Sequence, residues 1–121
     1  MASAFHLTFF ENVVCGGSGL WVDSWDDNNV RTPLPVDAND FILTAICAAG
    51  CTCTAKLYHS PDGVTWAAAT DSNNEEIEFE CTGGTCTCKV LTVSLLQFVK
   101  LEMGDASNPL ECTMKLHYTT F

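Results

Sequence analysis

Apolar and polar residues alternate with a period of two along almost the whole chain, and helical periodicity is nearly absent. That pattern restricts the chain to half-buried β-strands. The clearest stretch is Glu76-Ile77-Glu78-Phe79-Glu80-Cys81, where three acids face water and Ile77, Phe79 and Cys81 face inward. The final segment alternates likewise, with Leu110, Cys112, Met114, Leu116 and Tyr118 inward and Glu111, Thr113, Lys115 and His117 outward. Val99 to Met103, Phe5-Leu7-Phe9, Phe41 to Ala48, Cys53 to His59 and Cys86 to Val93 bring the set to about seven or eight strands. Their spacing is too tight for crossover helices, so the expected fold is one antiparallel β-sandwich of jelly-roll type. The 121 residues fit a single domain, residues 1–121. Such a chain buries roughly two thirds of its unfolded surface.

Turn chemistry divides the strands. Thr82-Gly83-Gly84-Thr85 predicts a two-residue hairpin whose glycines supply positive φ. Ser60-Pro61-Asp62-Gly63 predicts a type I turn followed by a left-handed glycine. Cys15 to Asp40 is the longest irregular region, and long loops on a rigid sandwich often carry binding sites.

Eight cysteines are many for a chain that can build a core without bridges: Cys15, Cys47, Cys51, Cys53, Cys81, Cys86, Cys88 and Cys112. Six of them fall in two similar segments, Cys47-Ala-Ala-Gly-Cys51-Thr-Cys53 and Cys81-Thr-Gly-Gly-Thr-Cys86-Thr-Cys88. In a hairpin closed by Gly83-Gly84, Cys81 and Cys86 stand opposite each other at a site suited to a cross-strand bridge. Cys47 and Cys51 can meet across Ala-Ala-Gly, Cys53 and Cys88 share an inward phase, and Cys15 and Cys112 remain as the fourth pair. Eight cysteines allow 105 pairings, so these four rank first among many. Free buried thiols and a thiolate metal site are the alternatives. The C-x2-C knuckle usual for zinc is missing, and C-x-C in a strand is a poor substitute.

The charge is −10, from fifteen acids against Arg31, Lys56, Lys89, Lys100 and Lys115. Five scattered cations on an acidic body exclude phosphate-neutralising nucleic-acid binding and docking on anionic membranes. No apolar run reaches the ~20 residues of a membrane span. Met1 to Phe10 has neither the basic region nor the apolar run of a secretion signal, so synthesis in a cytosol is expected.

Catalytic patterns are weak. His6, His59 and His117 belong to no nucleophile motif. Glu76, Glu78 and Glu80 form a solvated row on a strand. Gly16-Gly17-Ser18-Gly19 lacks the lysine and helix of a phosphate loop. Asp23, Asp26 and Asp27 are candidate calcium ligands without EF-hand spacing, and no other cofactor is expected. Trp21 and Trp25 are candidates for an interface anchor or a sugar-stacking platform, or for closing one end of the core.

Lys56-Leu-Tyr58-His59-Ser60-Pro61-Asp62-Gly63-Val64-Thr65-Trp66 resembles the S-x-D-G-x-x-W hairpin of discoidin-type, galactose-binding-like jelly rolls. Phe98 to Met103 followed by Cys112 to Tyr118 looks like their closing strands. The hairpin is also similar to a sialidase Asp-box, one residue short. In both families this turn is structural, so the resemblance implies fold and not activity. Similar small sandwiches occur in carbohydrate-binding modules and in phage virion proteins.

These features favour a non-enzymatic virion structural protein, a capsid decoration (cement) or tail component of a phage, acting as an oligomer. Its partners would be capsid or tail proteins and further copies of itself. A virion protein is made in the host cytoplasm and then persists in oxidising surroundings, which suits dense cysteines. The alternative is an extracellular carbohydrate-binding module with Trp21 and Trp25 as platforms. A third reading is a cytosolic thiol or metal protein.

Overall fold

The computed structural model describes residues 3–27 and 33–120, with the side chains of Ser3, Asp26 and Asp27 outside the description. Arg31 also lies outside the described residues. The chain forms two antiparallel sheets packed face to face. In order it runs β1 (Ser3–Val14), β2 (Trp21–Asp23), α1 (Ser24–Asp27), β3 (Asn39–Cys47), β4 (Thr52–Ser60), β5 (Ala67–Ala68), β6 (Glu78–Thr82), β7 (Cys86–Val90), β8 (Phe98–Gly104) and β9 (Glu111–Thr120). The first sheet has the order β1-β9-β3-β7. The second has the order β2-β8-β4-β5, with β6 also pairing β4. The β-sandwich expected from alternation is therefore the fold. The short β2 and β5 and the single turn of α1 are elements that alternation did not mark.

The inward phases build the core. Leu43 and Ala45 of β3, Ala55 and Leu57 of β4, Leu101 and Met103 of β8, and Met114 and Leu116 of β9 are fully buried. Ile77 and Cys81 are buried while Glu78 and Glu80 are exposed, as the alternation requires. Strand β1 departs from a strict period. Its register against β9 shifts between Thr8 and Phe10 and again before Val13. These bulges let Phe9 and Phe10 both enter the core, since an extra residue flips the phase.

The expected hairpin at Gly83-Gly84 is replaced by a corner. Strand β6 pairs β4 in one sheet, whereas β7 pairs β3 in the other. The chain crosses between sheets here instead of turning back on itself. Gly84 adopts φ +86°, as a turn glycine should. Gly83 is required for a different reason, because a Cβ there would collide with the Ala48 carbonyl. The corner also reverses the expected phase of β7, so Cys86 and Cys88 are exposed.

The Ser60–Gly63 turn matches its sequence. The Ser60 hydroxyl oxygen accepts from the Asp62 and Gly63 amides at 3.2 and 2.9 Å. Asp62 Oδ1 accepts from the Val64 and Thr65 amides, both at 2.8 Å. The Thr65 and Val64 amides, with the Ser60 hydroxyl, hold the Asp62 carboxyl below its ordinary value. Gly63 has φ +76° and lies under Trp25, where a Cβ would sit 3.2 Å from the ring. Gly63→Val meets both a left-handed backbone and that ring. It is expected to destabilise the protein by about 1–2 kcal/mol or more in a denaturant titration. An unchanged midpoint would refute this account of the turn.

Candidate functional site: a buried cluster of six thiols

Two cross-strand cysteine pairs face each other across the core. In the first sheet Cys47 of β3 is directly opposite Cys112 of β9. In the second sheet Cys53 of β4 is opposite Cys81 of β6. Cys51, in the turn between β3 and β4, and Cys15, just after β1, complete a buried group of six. All eight cysteines are thiols in the structure. Small and polarisable, such side chains pack like hydrophobes where two sheets close on each other.

The sulfur distances divide the group. Cys47 Sγ donates to Cys81 Sγ at 2.7 Å, the tightest contact. Cys15 and Cys51 are 3.5 Å apart, Cys51 and Cys112 3.9 Å, and Cys53 and Cys112 3.8 Å. The Sγ atoms of Cys15, Cys51, Cys53 and Cys112 all lie within 4.8 Å of one another. Cys47 also approaches Cys53, at 3.7 Å.

Burial pushes the Cys15 thiol up to about 12. Hydrogen bonds from Cys47 and then Cys53 draw Cys112 down to about 5, against the cost of desolvation. The partner Cys47 is raised, first by its hydrogen bond to Cys112 and then by those to Cys53 and Cys81. Cys53 is lowered too, its hydrogen bond to Cys112 raising it but those to Cys47 and Cys81 lowering it more. Negative charge is thus favoured on Cys112 and Cys53 while Cys15 and Cys47 hold their protons.

The cysteine pairs expected from spacing fare differently. Cys15 and Cys112 come together in the four-sulfur group. Cys47 and Cys51 both belong to the cluster, but the nearest sulfur to Cys47 is Cys81. Cys81 and Cys86 are separated, because Cys81 points into the core and Cys86 is exposed beyond the corner. Cys53 and Cys88 are separated for the same reason, one buried and one exposed. Cys88 instead neighbours Cys86 at 3.9 Å. The partnership of Cys47 with Cys81 was missed because a pairing across two sheets leaves no mark in local spacing.

The remaining candidates are placed as follows. Trp25 packs edge-on against Trp66 at 4.8 Å and Phe98 at 6.0 Å. Trp21 lies on the outer side of the second sheet, with the Lys56 ammonium 4.4 Å from its ring centre. Asp23 Oδ1 accepts from the Trp25 amide at 2.8 Å, and Oδ2 pairs with Lys100 at 2.7 Å. The side chains of Asp26 and Asp27, the other calcium candidates, lie outside the described residues. His6 and His117 sit side by side with ring centres 5.9 Å apart. His117 Nε2 is 3.0 Å from the Thr44 hydroxyl, and His59 Nδ1 accepts from the Leu96 amide at 3.2 Å. None of these contacts brings a histidine to a serine or cysteine.

No protein-family model matches the chain, and no curated protein matches it. Among solved structures, one of infectious bursal disease virus, Gx strain, is similar over 98% of this chain, with a TM-score of 0.50 and 12% identity. The chain spans about a third of that protein's length, 32%. The crystal structure of PirA is similar over 98% of this chain and 92% of its own, with a TM-score of 0.46 and 5% identity. A structure of Bacillus endospore appendages, described as disulfide-linked pili, is similar over 100% of this chain and 88% of its own. Its TM-score is 0.41 and its identity 12%. At these identities the likeness concerns the fold alone.

Mild oxidation should join Cys47 to Cys81 before any other pair, since their sulfurs are nearest to the ~2.05 Å of a bridge. The two are 34 positions apart, and in the loop-entropy model such a bridge stabilises by about 4 kcal/mol. Peptide mapping without reduction checks this. Recovering Cys81 linked to Cys86 would overturn the arrangement.

Proposed function

We propose that this chain is a non-enzymatic structural subunit of a virion, a capsid decoration or tail component, that works as a homo-oligomer. The observation that carries this reading is the outer face of the first sheet. Val90, Ile42 and His117 form one cross-strand row, Cys88, Thr44 and Lys115 the next, and Cys86, Ile46 and Thr113 the third. Ile46 is 56% exposed and Val90 68%. None of these nine residues is an acid, although the chain has a net charge of −10.

The opposite outer face is charged. Lys56 stands between Glu78 and Glu102, and Lys100 pairs with Asp23. Two copies carrying −10 each repel one another over most of their surface. This acid-poor patch, with acids only at its two ends, Asp40 beside Thr119 and Glu111 at the start of β9, is where that repulsion is least and apolar burial is greatest. A two-fold contact can pair the face with itself. Strand β7 adds an outer edge with unpaired backbone groups beside this face.

The similarity of fold to a virus structure over nearly the whole chain supports a virion. An extracellular assembly would use the same face. A sugar-binding reading has less support, because Trp25 is engaged by Trp66 and Phe98 and Trp21 by Lys56.

Light scattering after size exclusion tests the proposal. The wild-type chain should elute as an oligomer of its 13.1 kDa unit. Ile46→Glu combined with Val90→Glu should yield a folded monomer with an unchanged far-ultraviolet spectrum. Glu78→Gln, on the charged face, should leave the oligomer intact. A wild-type monomer at high concentration, or an oligomer that survives the double substitution, would refute it.

A further inference from the structure

We propose that Cys15, Cys51, Cys53 and Cys112 together bind one zinc ion as a closed tetrathiolate site that ties the two sheets. The first support is geometric. A zinc ion with four sulfurs at ~2.3 Å in a tetrahedron sets them about 3.8 Å apart. The observed separations are 3.5 Å for Cys15 and Cys51, 3.9 Å for Cys51 and Cys112, and 3.8 Å for Cys53 and Cys112. The four sulfurs lie within 4.8 Å of one another, so they surround a single point. An iron–sulfur cluster attaches its thiolates to different irons around an inorganic core and needs them further apart.

The second support is the donor set. Four thiolates in tetrahedral array select a soft, tetrahedral ion, and a magnesium or calcium ion would demand oxygen. The four cysteines are buried, which leaves no open position for substrate and makes the site structural rather than catalytic.

The third is topological. Cys112 belongs to β9 in the first sheet and Cys53 to β4 in the second. Cys51 is the turn that joins the sheets, and Cys15 follows the end of β1. The Cys15 amide donates to Leu110 O at 3.2 Å, and the Cys51 amide donates to Ala48 O at 3.1 Å, so the backbone already positions both loop ligands. One ion would join four separate parts of the chain. Cys47 and Cys81, 2.7 Å apart, are left as a pair of their own. Binding exchanges thiol protons for the metal, with no change of oxidation state.

The experiment uses the full chain purified under reducing conditions, stripped with chelator and titrated with Co2+. One Co2+ per chain should bind, with the d–d bands of a tetrahedral site and an intense thiolate-to-cobalt charge-transfer band. Zn2+ should displace it, and native mass spectrometry should find one zinc per chain. Cys53→Ser and Cys112→Ser should each lose the charge-transfer intensity of one thiolate and weaken binding at least tenfold. Cys86→Ser combined with Cys88→Ser should change neither. If the single variants fail to fold, the wild-type titration still decides. Absence of the charge-transfer band, or its loss in the Cys86→Ser Cys88→Ser chain, would overturn the proposal. Finding Cys15, Cys51, Cys53 and Cys112 joined in two disulfides in protein isolated without oxidant would overturn it as well.

Discussion

Contact between sulfur atoms at the closed end of the sandwich is the constraint on which the rest of the structure depends. Cys47 and Cys112 are paired in one sheet, Cys53 and Cys81 in the other, and the two pairs meet across the core. The chain changes sheet four times at this end, and two of these crossings carry the cysteine segments, between β3 and β4 and between β6 and β7. The two crossings pack on each other. The Gly83 amide donates to Cys51 O at 2.6 Å and the Gly84 amide to Cys47 O at 3.0 Å. Backbone can approach so closely only where a side chain is missing, which is why Gly83 stands at the contact. The two similar cysteine segments are therefore two interlocked corners, and the thiols fill the space that the corners enclose.

At the other end of the second sheet the closing device is aromatic. The single turn of α1 places Trp25 against Trp66 and Phe98, over Gly63. Ser24 is buried beside it, and its hydroxyl oxygen accepts from the Leu101 amide at 3.0 Å. The short β2 lies along β8, where a Cβ on Gly104 would collide with the Leu20 carbonyl. The second sheet ends on the three-residue β2 at one side and, at the other, on β5 and β6, two and five residues long, which share the β4 edge. The first sheet ends on β1 and β7. Bulges interrupt β1, but β7 presents a straight edge next to the apolar face.

Charge is segregated between the two outer faces. Cross-strand neighbours on the second sheet alternate in sign, Glu78 with Lys56 and Lys56 with Glu102, each pair favourable across a ladder. The outer face of the first sheet carries Ile42, Ile46 and Val90 together with Lys115, His6 and His117. In a chain of net charge −10 the middle of this face carries no acid, and Asp40 and Glu111 stand at its ends.

Alternation in the sequence determined the strands, which residues face inward on β6 and β9, and the all-β class, because side-chain direction in a strand has a period of two whatever the strand pairs with. The Ser60–Gly63 turn was equally legible, since its hydrogen bonds join residues within three positions of each other. Asp23 and Trp25 could be named as candidates, but their engagement with Lys100, Trp66 and Phe98 joins residues remote in sequence. The cysteine partners were the least legible. Local spacing set Cys81 against Cys86, on the premise that Gly83-Gly84 turns the chain back within one sheet. Tertiary structure decided otherwise, because β6 finds its partner in β4 and β7 finds its partner in β3. That choice of sheet sends Cys81 inward to Cys47, turns Cys86 and Cys88 out to solvent, and gathers Cys15, Cys51, Cys53 and Cys112 around one point. Pairing between sheets is fixed by packing over the whole core, and no local pattern of residues encodes it.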